Sequence, residues 1–343
     1  MGATKTVNSA PAVSVIIPAR NEEACLADCL QSIISQSGVD FEVIVVDDHS
    51  TDHTREIAAS FPDVEVIEAG PLPDGWTGKN NALTTGARHA RGEWLLFTDA
   101  DTLHLPGSLA QALAEAKDHG VDMLSYSPEQ IAVTFWEMAV LPAVFAELAR
   151  TYPPKKVSDL NSAIAAANGQ YILIKRESYD AVGGHAAIAR EILEDVALAR
   201  LLKGSRRQIR FRYADNAVRT RMYRNFRQLR DGWTKNLAVL FPRPGWLAAK
   251  ILAMWGFPLS ALALAVSRDM PRWYGVLVAA HLYLWMRMKQ GNFNRFKTFL
   301  GVWFGMPIFA YLLLRSRIAH STGNISWKGR TYSDKGAELA TGH

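Results

Sequence analysis

The chain has 343 residues, 49% of them hydrophobic and 21% charged, which leaves room for about two domains or one large α/β domain with an appendage and is too apolar for a disordered chain. The net charge of +5 is unevenly placed: residues 1–200 carry 14 Lys+Arg against 28 Asp+Glu, and residues 201–343 carry 24 against 5, an acidic body followed by a basic, apolar remainder. The only two cysteines, Cys25 and Cys29, exclude a disulfide scaffold or a cysteine zinc site, and no nucleic-acid motif accompanies the basic charge, so nucleic acid is set aside as a partner.

Residues 1–12 are short and polar, lack the apolar stretch of a signal peptide and are expected to be disordered. Val13-Ser14-Val15-Ile16-Ile17-Pro18 and Glu42-Val43-Ile44-Val45-Val46-Asp47-Asp48 read as strands. Between them, Glu22 to Ser35 carries Leu26, Leu30, Ile33 and Ile34 at helical spacing. Further strands are expected at Val64–Ile67 and Trp94–Thr98, with helices at Asp52–Ser60 and Asn80–Ala90. Apolar strands separated by helices indicate a mainly parallel sheet covered on both faces, with ligands beyond the carboxyl ends of its strands.

Carboxylates collect at those ends. Asp47-Asp48 closes the second strand and Asp99-Ala100-Asp101 the fourth. Crowded acids repel one another unless a cation or donor groups occupy the space. Mg2+ or Mn2+ carrying a diphosphate satisfies both the carboxylates and the phosphate oxygens.

Ala132 to Arg150 is strongly apolar and suits either a core helix or an amphipathic helix at a bilayer surface. Asn168 to Arg176 reads as a strand entered through Gly169, followed by Gly183-Gly184-His185, then Glu194-Asp195 opening a helix over Val196–Leu202. Beyond Lys203 the basic residues run into three apolar segments, Ile251–Ser267, Trp273–Met286 and Thr298–Leu314. Each is near or below the roughly 17 to 25 residues of a membrane span, with aromatic and basic flanks suited to anchoring; three buried helices of a soluble domain are the alternative. The basic stretch Arg287–Lys297 places that loop in the cytoplasm, making the first two segments a hairpin. The third either spans or takes a re-entrant or interfacial path through Gly305-Met306-Pro307, the second alternative being preferred. The body is expected in the cytoplasm, and the chain as a multi-pass protein of the cell membrane.

Four motifs in order, Val15-Ile16-Ile17-Pro18-Ala19-Arg20-Asn21-Glu22, Val46-Asp47-Asp48-His49-Ser50-Thr51-Asp52, Gly78-Lys79-Asn80-Asn81-Ala82-Leu83 and Asp99-Ala100-Asp101, resemble those of family 2 glycosyltransferases with a GT-A fold. The resemblance implies that Pro18, Arg20, Glu22, Asp47 and Asp48 hold the nucleoside, that Lys79 faces the nucleotide-sugar, and that Asp99 and Asp101 meet the metal-bound donor. It makes Glu194-Asp195 the acceptor-side motif, with Gln170 and His185 on the acceptor or diphosphate side. Displacing a nucleoside diphosphate with inversion needs a carboxylate to take the acceptor's proton, so Asp195 is expected as general base and Glu194 as its orienting neighbour or an acceptor contact.

Gln228-Leu229-Arg230-Asp231-Gly232-Trp233 stands where processive relatives carry Q-x-x-R-W, but Gly232 intervenes and the tryptophan is not next to the arginine. Arg230 near diphosphate and Trp233 against an acceptor are weaker expectations, and a processive polysaccharide synthase is disfavoured. The Gly-Trp-Thr-Lys-Asn run at Gly232–Asn236, the apolar helices and Trp327-Lys328-Gly329-Arg330-Thr331-Tyr332 are similar to a membrane subset associated with carotenoid-acid and hopanoid pathways. That implies a lipid or isoprenoid acceptor, and the family resemblance implies a uridine-type nucleotide, hence a UDP-sugar donor. The expected organisation is a disordered 1–12, a catalytic domain over 13–245, two or three membrane helices over 246–318 and a tail over 319–343. The competing readings are a glycan-elongating enzyme and a catalytically silent nucleotide-sugar binder.

Overall fold

The computed structural model describes residues 10–267, 272–287, 293, 295–323, 325–327, 330–333 and 336–339. They divide into two compact units, Met1–Glu129 with Pro154–Thr220, and Gln130–Pro153 with Arg221–His343.

The first unit begins with an alternation of strands and helices: β1 (Val13–Ala19), α1 (Leu26–Ile34), β2 (Phe41–Asp47), α2 (Thr54–Ala59), β3 (Val64–Glu68), α3 (Gly78–His89) and β4 (Trp94–Phe97). Next come β5 (Thr102–His104), α4 (Ser108–Asp118), β6 (Met123–Ser127) and β7 (Glu129–Gln130), which leads into the second unit's α5 (Phe135–Thr151). The chain returns through α6 (Pro154–Ser158), β8 (Ile172–Lys175), α7 (Arg176–Ala181), a 3-10 turn at Gly184–Ile188, α8 (Glu194–Gly204), β9 (Ile209–Tyr213) and β10 (Val218–Thr220).

Seven strands form one sheet in the order β3-β2-β1-β4-β8-β6-β9. β3, β2, β1 and β4 are parallel, β8 runs antiparallel to both β4 and β6, and β6 is parallel to β9. The mainly parallel sheet expected from the apolar strands is therefore present, with β8 reversed. Both faces of β1 are buried: Leu26, Cys29, Leu30 and Ile33 of α1 join Val13, Val15 and Ile17 in one core, as the i, i+3, i+4, i+7 spacing of α1 requires. On the other face α3 comes close because Gly86 has no side chain; a Cβ there would stand 2.9 Å from Val46 Cγ2 and collide with Ile16.

Register brings the acids together. Ala19 pairs with Asp47 and Ile16 with Phe97, so the segments leaving β1, β2 and β4 emerge at one edge. The Asp99–Asp101 segment is tied down by Thr220 Oγ1, which donates to Asp101 O at 3.2 Å, where β10 pairs with β5.

β5, α4, β6, β9 and β10 carry no distinctive sequence motif. Ile209-Arg210-Phe211-Arg212-Tyr213 alternates at the period of a strand, and its arginines share a partly buried partner. Arg210 Nε and Arg212 Nη2 lie 2.7 and 3.0 Å from the Glu115 carboxylate of α4, which also accepts from Tyr126 Oη at 2.7 Å.

The second unit is helical: α5, then α9 (Phe226–Leu240), α10 (Pro244–Ser267), α11 (Arg272–Arg287) and α12 (Arg295–Ser321), followed by short antiparallel strands β11 (Ile325–Trp327), β12 (Arg330–Ser333) and β13 (Gly336–Leu339). Leu229, Trp233 and Leu237 of α9 form a stripe at four-residue spacing, buried with Val140, Leu141 and Val144 of α5 and Phe309 and Leu313 of α12. Because that stripe needs these partners, α9 lies with α5 in the second unit, whose chain resumes at Arg221. α12 approaches α5 through two glycines one turn apart; a Cβ on Gly301 would stand 3.2 Å from Ala139 Cα, and one on Gly305 would strike Ala139 O.

α12 is one continuous helix through Pro307, which corrects the re-entrant form of the path expected at its Gly305-Met306-Pro307 segment. Burial of Phe309, Leu312 and Leu313 in the core of this unit holds it. Among the described residues no single helix is long and apolar enough to cross a membrane; Phe226–Leu240 with Pro244–Ser260, bent by 111°, has the length and composition only as a pair. Most of the basic Arg287–Lys297 stretch and all of residues 1–9 lie outside the described residues.

Burial works against the Glu115 charge, but hydrogen bonds from Arg212, Arg210 and Tyr126 outweigh it and hold its pKa down at about 2. This carboxylate's stabilisation is complete above its ordinary pKa near 4.5 and is lost as pH falls through about 2. Glu115→Gln is expected to cost about 3 kcal/mol at pH 7 and to flatten the loss of stability between pH 4.5 and 2, read from urea unfolding across pH.

Candidate active site

The segments leaving β1 and β2 are laced to each other. Arg20 Nη1 donates to Asp48 O at 2.5 Å and to His49 O at 3.3 Å, while Asp48 N–H donates to Ala19 O at 2.8 Å. Asn21 and His49 take left-handed backbone angles, φ 53° and 56°, a region asparagine and histidine tolerate better than most residues. They are held there by reciprocal bonds: Asn21 N–H to Ser50 Oγ at 3.1 Å, and Thr51 N–H to Asn21 Oδ1 at 2.9 Å. Glu22 N–H donates to Thr54 Oγ1 at 2.7 Å. Asp47 and Asp48 are buried and Pro18 half-buried at the strand ends. The guanidinium of Arg20 thus shapes this pair of loops through their carbonyls.

Beside them, the first turn of α3 supplies an ammonium. Thr77 caps the helix, its Oγ1 accepting from Asn80 N–H at 3.2 Å, and Lys79 projects from that turn. Its Nζ lies 2.7 Å from Asp99 Oδ1 and 2.6 Å from Glu194 Oε1. Burial acts to lower the lysine's pKa, but Asp99 and Glu194 outweigh it and hold it well above the ordinary value.

Asp195 follows Glu194 in the first turn of α8. Its Oδ2 accepts from Gly169 N–H at 3.0 Å and its Oδ1 from Val196 N–H at 2.7 Å, which fixes the plane of the carboxylate. Burial, then the neighbouring Glu194 charge, raise its pKa to about 6 against the opposing pull of Lys79 and the two N–H groups. Gly169 lies against all three charged groups: a Cβ there would stand 3.1 Å from Glu194 Oε1, 3.3 Å from Lys79 Nζ and 3.6 Å from Asp195 Cβ. Any side chain at 169 would enter the cluster.

Two supports were not among the expected site residues. Asn80 is fully buried, and its Nδ2 faces three carbonyls, Ile188 O at 2.9 Å, Ala189 O at 3.1 Å and Glu191 O at 3.0 Å. Thr77 N–H donates to the same Ala189 O at 2.8 Å. α3 thereby grips the segment that delivers Glu194 and Asp195. The available signal was an asparagine directly after the lysine at a helix start, where an amide suits a structural clamp.

His185, expected on the acceptor side, is 1% exposed. Its Nδ1 meets Tyr179 Oη at 3.0 Å, its ring packs edge-on to Phe97, and burial lowers its pKa to about 4. It supports the Gly183–Gly184 turn from inside. Gln170 is also buried, its Nε2 donating to Thr220 Oγ1 at 3.1 Å.

Arg230 and Trp233 belong to the second unit. Trp233 is 2% exposed and packed against Phe145 and Tyr223, so an acceptor-stacking role is replaced by a core role. Gly232, the intervening residue, leaves room for the Tyr223 ring. Arg230 Nε pairs with Asp231 Oδ1 at 2.8 Å.

The glycosyl transferase family 2 model matches residues 14–196, the span that contains every charged group of this cluster. The chain belongs to glycosyltransferase family 2. This glycosyltransferase is 31% identical over 350 residues to 4,4'-diaponeurosporenoate glycosyltransferase of Staphylococcus aureus strain N315, covering 96% of this chain and 91% of that protein. The strain MRSA252 protein of the same name is 31% identical over 347 residues, at 96% and 90% coverage. Among solved structures, the mannosyltransferase PcManGT from Pyrobaculum calidifontis, in complex with GDP-Man and Mn2+, superposes with a TM-score of 0.56 at 20% identity, over 91% of this chain and 87% of that one. The likeness establishes a shared α/β GT-A-like fold.

Asn80→Ala removes the amide donors of three carbonyls and is expected to lower stability by about 2 kcal/mol. Asn80→Asp, the same shape with an oxygen facing those carbonyls, is expected to lower it at least as far. Urea unfolding monitored by circular dichroism checks both.

Proposed function

We propose that this glycosyltransferase is an inverting, metal-dependent enzyme that moves a hexose from a nucleoside diphosphate sugar, with UDP as the expected nucleotide, to a lipid or isoprenoid acceptor at a membrane. The observation that carries the reading is Asp195: a carboxylate fixed by two backbone N–H groups, with its proton affinity raised by burial and by Glu194. A base with a pKa near 6 is ionised at neutral pH yet retains more affinity for a proton than an ordinary carboxylate.

In this reading Asp195 accepts the acceptor's proton as its oxygen attacks the anomeric carbon from the face opposite the leaving diphosphate. Glu194, held by Lys79, sets the position of the α8 first turn. The loops after β1 and β2 receive the nucleoside through Pro18, Arg20, Glu22, Asp47 and Asp48.

Asp99 and Asp101 present hard oxygen donors, and among the described residues no three of His, Cys, Asp and Glu gather into a protein-only cage. That donor set fits Mg2+ or Mn2+ held by one or two carboxylates together with substrate phosphate. When bound there, the ion supplies charge stabilisation for the departing diphosphate.

The lipid acceptor and membrane location draw support from the second unit. Trp246, Phe257, Val278, Phe296, Phe304 and Ile318 expose between 56% and 71% of their surface, more apolar area than a water-facing helical unit ordinarily leaves. Residues 221–343 carry 18 Lys+Arg against 4 Asp+Glu, a net positive charge that suits an anionic leaflet. The curated relatives' names specify a carotenoid acid substrate, diaponeurosporenoate, in keeping with an apolar acceptor. We place the first unit on the cytoplasmic side.

Incubation of the purified protein with a panel of nucleoside diphosphate sugars, Mn2+ and total bacterial lipid, followed by mass spectrometry, is expected to yield a glycolipid. Asp195→Asn, still folded and still binding nucleotide, is expected to lose at least about 100-fold in turnover. Wild-type kcat/KM should rise with pH through a midpoint near 6 as Asp195 ionises. Near-normal turnover by Asp195→Asn would remove Asp195 as base and favour an acceptor that arrives as a carboxylate, with no proton to lose.

A further inference from the structure

One ammonium joins the donor side of the active site to the acceptor side. Lys79 Nζ touches Asp99 Oδ1 at 2.7 Å and Glu194 Oε1 at 2.6 Å. A cation in the first turn of a helix opposes the helix dipole, so the two carboxylates, not the helix, determine where this side chain rests.

The bridge is unequal at its two ends. The Glu194 side chain is 8% exposed, and a buried carboxylate deprived of its counter-ion is strongly destabilised. The Asp99 side chain is 27% exposed and opens the Asp99–Asp101 segment. Gly169, by lacking a side chain, leaves space beside both Glu194 Oε1 and Lys79 Nζ. The ammonium therefore has a tight partner at one end and an accessible partner at the other.

A divalent cation at Asp99 would face a positive charge already in contact with the same carboxylate, and like charges at such range repel strongly. We propose that Lys79 is the resident counter-ion of Asp99 in the donor-free enzyme, and that divalent-cation binding requires its release from Asp99 while it stays paired with Glu194. This rests on the metal-dependent reading above. The released ammonium then has a vacant side on which to receive a donor phosphate, so metal and nucleotide bind cooperatively, and reciprocity requires each to strengthen the other by the same factor.

Mn2+ binding, read from the electron paramagnetic resonance of free Mn2+, tests the proposal on the full-length protein without turnover. Lys79→Met is expected to bind Mn2+ in the absence of nucleotide about tenfold more tightly than wild type, and Lys79→Arg, which keeps the cation, within about threefold of wild type. Addition of UDP or GDP should tighten Mn2+ binding to wild type more than to Lys79→Met. Should Lys79→Met fail to fold, Lys79→Met/Glu194→Gln removes the buried carboxylate with its counter-ion and is expected to show the same gain. Equal or weaker Mn2+ binding by these variants, with wild type still binding Mn2+ in the presence of UDP or GDP, overturns the counter-ion proposal alone. No Mn2+ binding by any form, with or without UDP and GDP, overturns the metal reading and this proposal with it.

Discussion

Carboxylates gathered at one edge of a sheet repel one another, and this candidate site is held together by a single lysine that bridges two of them. Lys79 draws Asp99 of the β4 end and Glu194 of the α8 start to one point. Everything around the cluster serves that convergence. Thr77 caps α3 so that its first turn is well formed, Gly169 withholds a side chain, and Asn80 holds the preceding segment of α8 through three carbonyls. The remaining acid, Asp195, is left with backbone N–H groups in place of a full counter-charge, and its raised proton affinity follows from that difference.

The two units solve the burial problem in different ways. In the first, apolar strands are covered on both faces, and charged side chains that enter it arrive with partners, as Glu115 does with Arg210 and Arg212. In the second, the inner faces of the helices pack around Trp233, Phe309 and Leu313 while many large apolar side chains stay exposed. The acidic and basic parts of the sequence follow this division with two exceptions: α5 lies in the acidic part but packs in the second unit, and the basic residues of 201–220 belong to the first.

Several residues of the candidate site were legible because their neighbours carried the signal. Asp47, Asp48, Asp99 and Asp101 stand at the ends of apolar runs, and a polar end to a buried strand is visible in one dimension. Lys79, Glu194 and Asp195 came through motif resemblance, since nothing in their local spacing announces that residues 79, 99 and 194 meet. His185 and Trp233 show the reverse case: residue types suited to recognition, which the structure encloses against Phe97 and Tyr179, and against Phe145 and Tyr223. Burial of a single side chain depends on which distant element covers it, and composition does not record that.

The sequence by itself determined the family, the parallel start of the sheet, the acidic strand ends and the split between an acidic body and a basic, apolar remainder. These follow from periodicity, charge order and contiguous motifs, all properties of neighbours along the chain. Tertiary structure alone decided the reversal of β8, the inclusion of α5 and α9 in the helical unit, the uninterrupted course of α12 through Pro307 and the Lys79 bridge. Each of these depends on contacts between residues tens of positions apart, whose strength comes from packing and desolvation that no local pattern encodes.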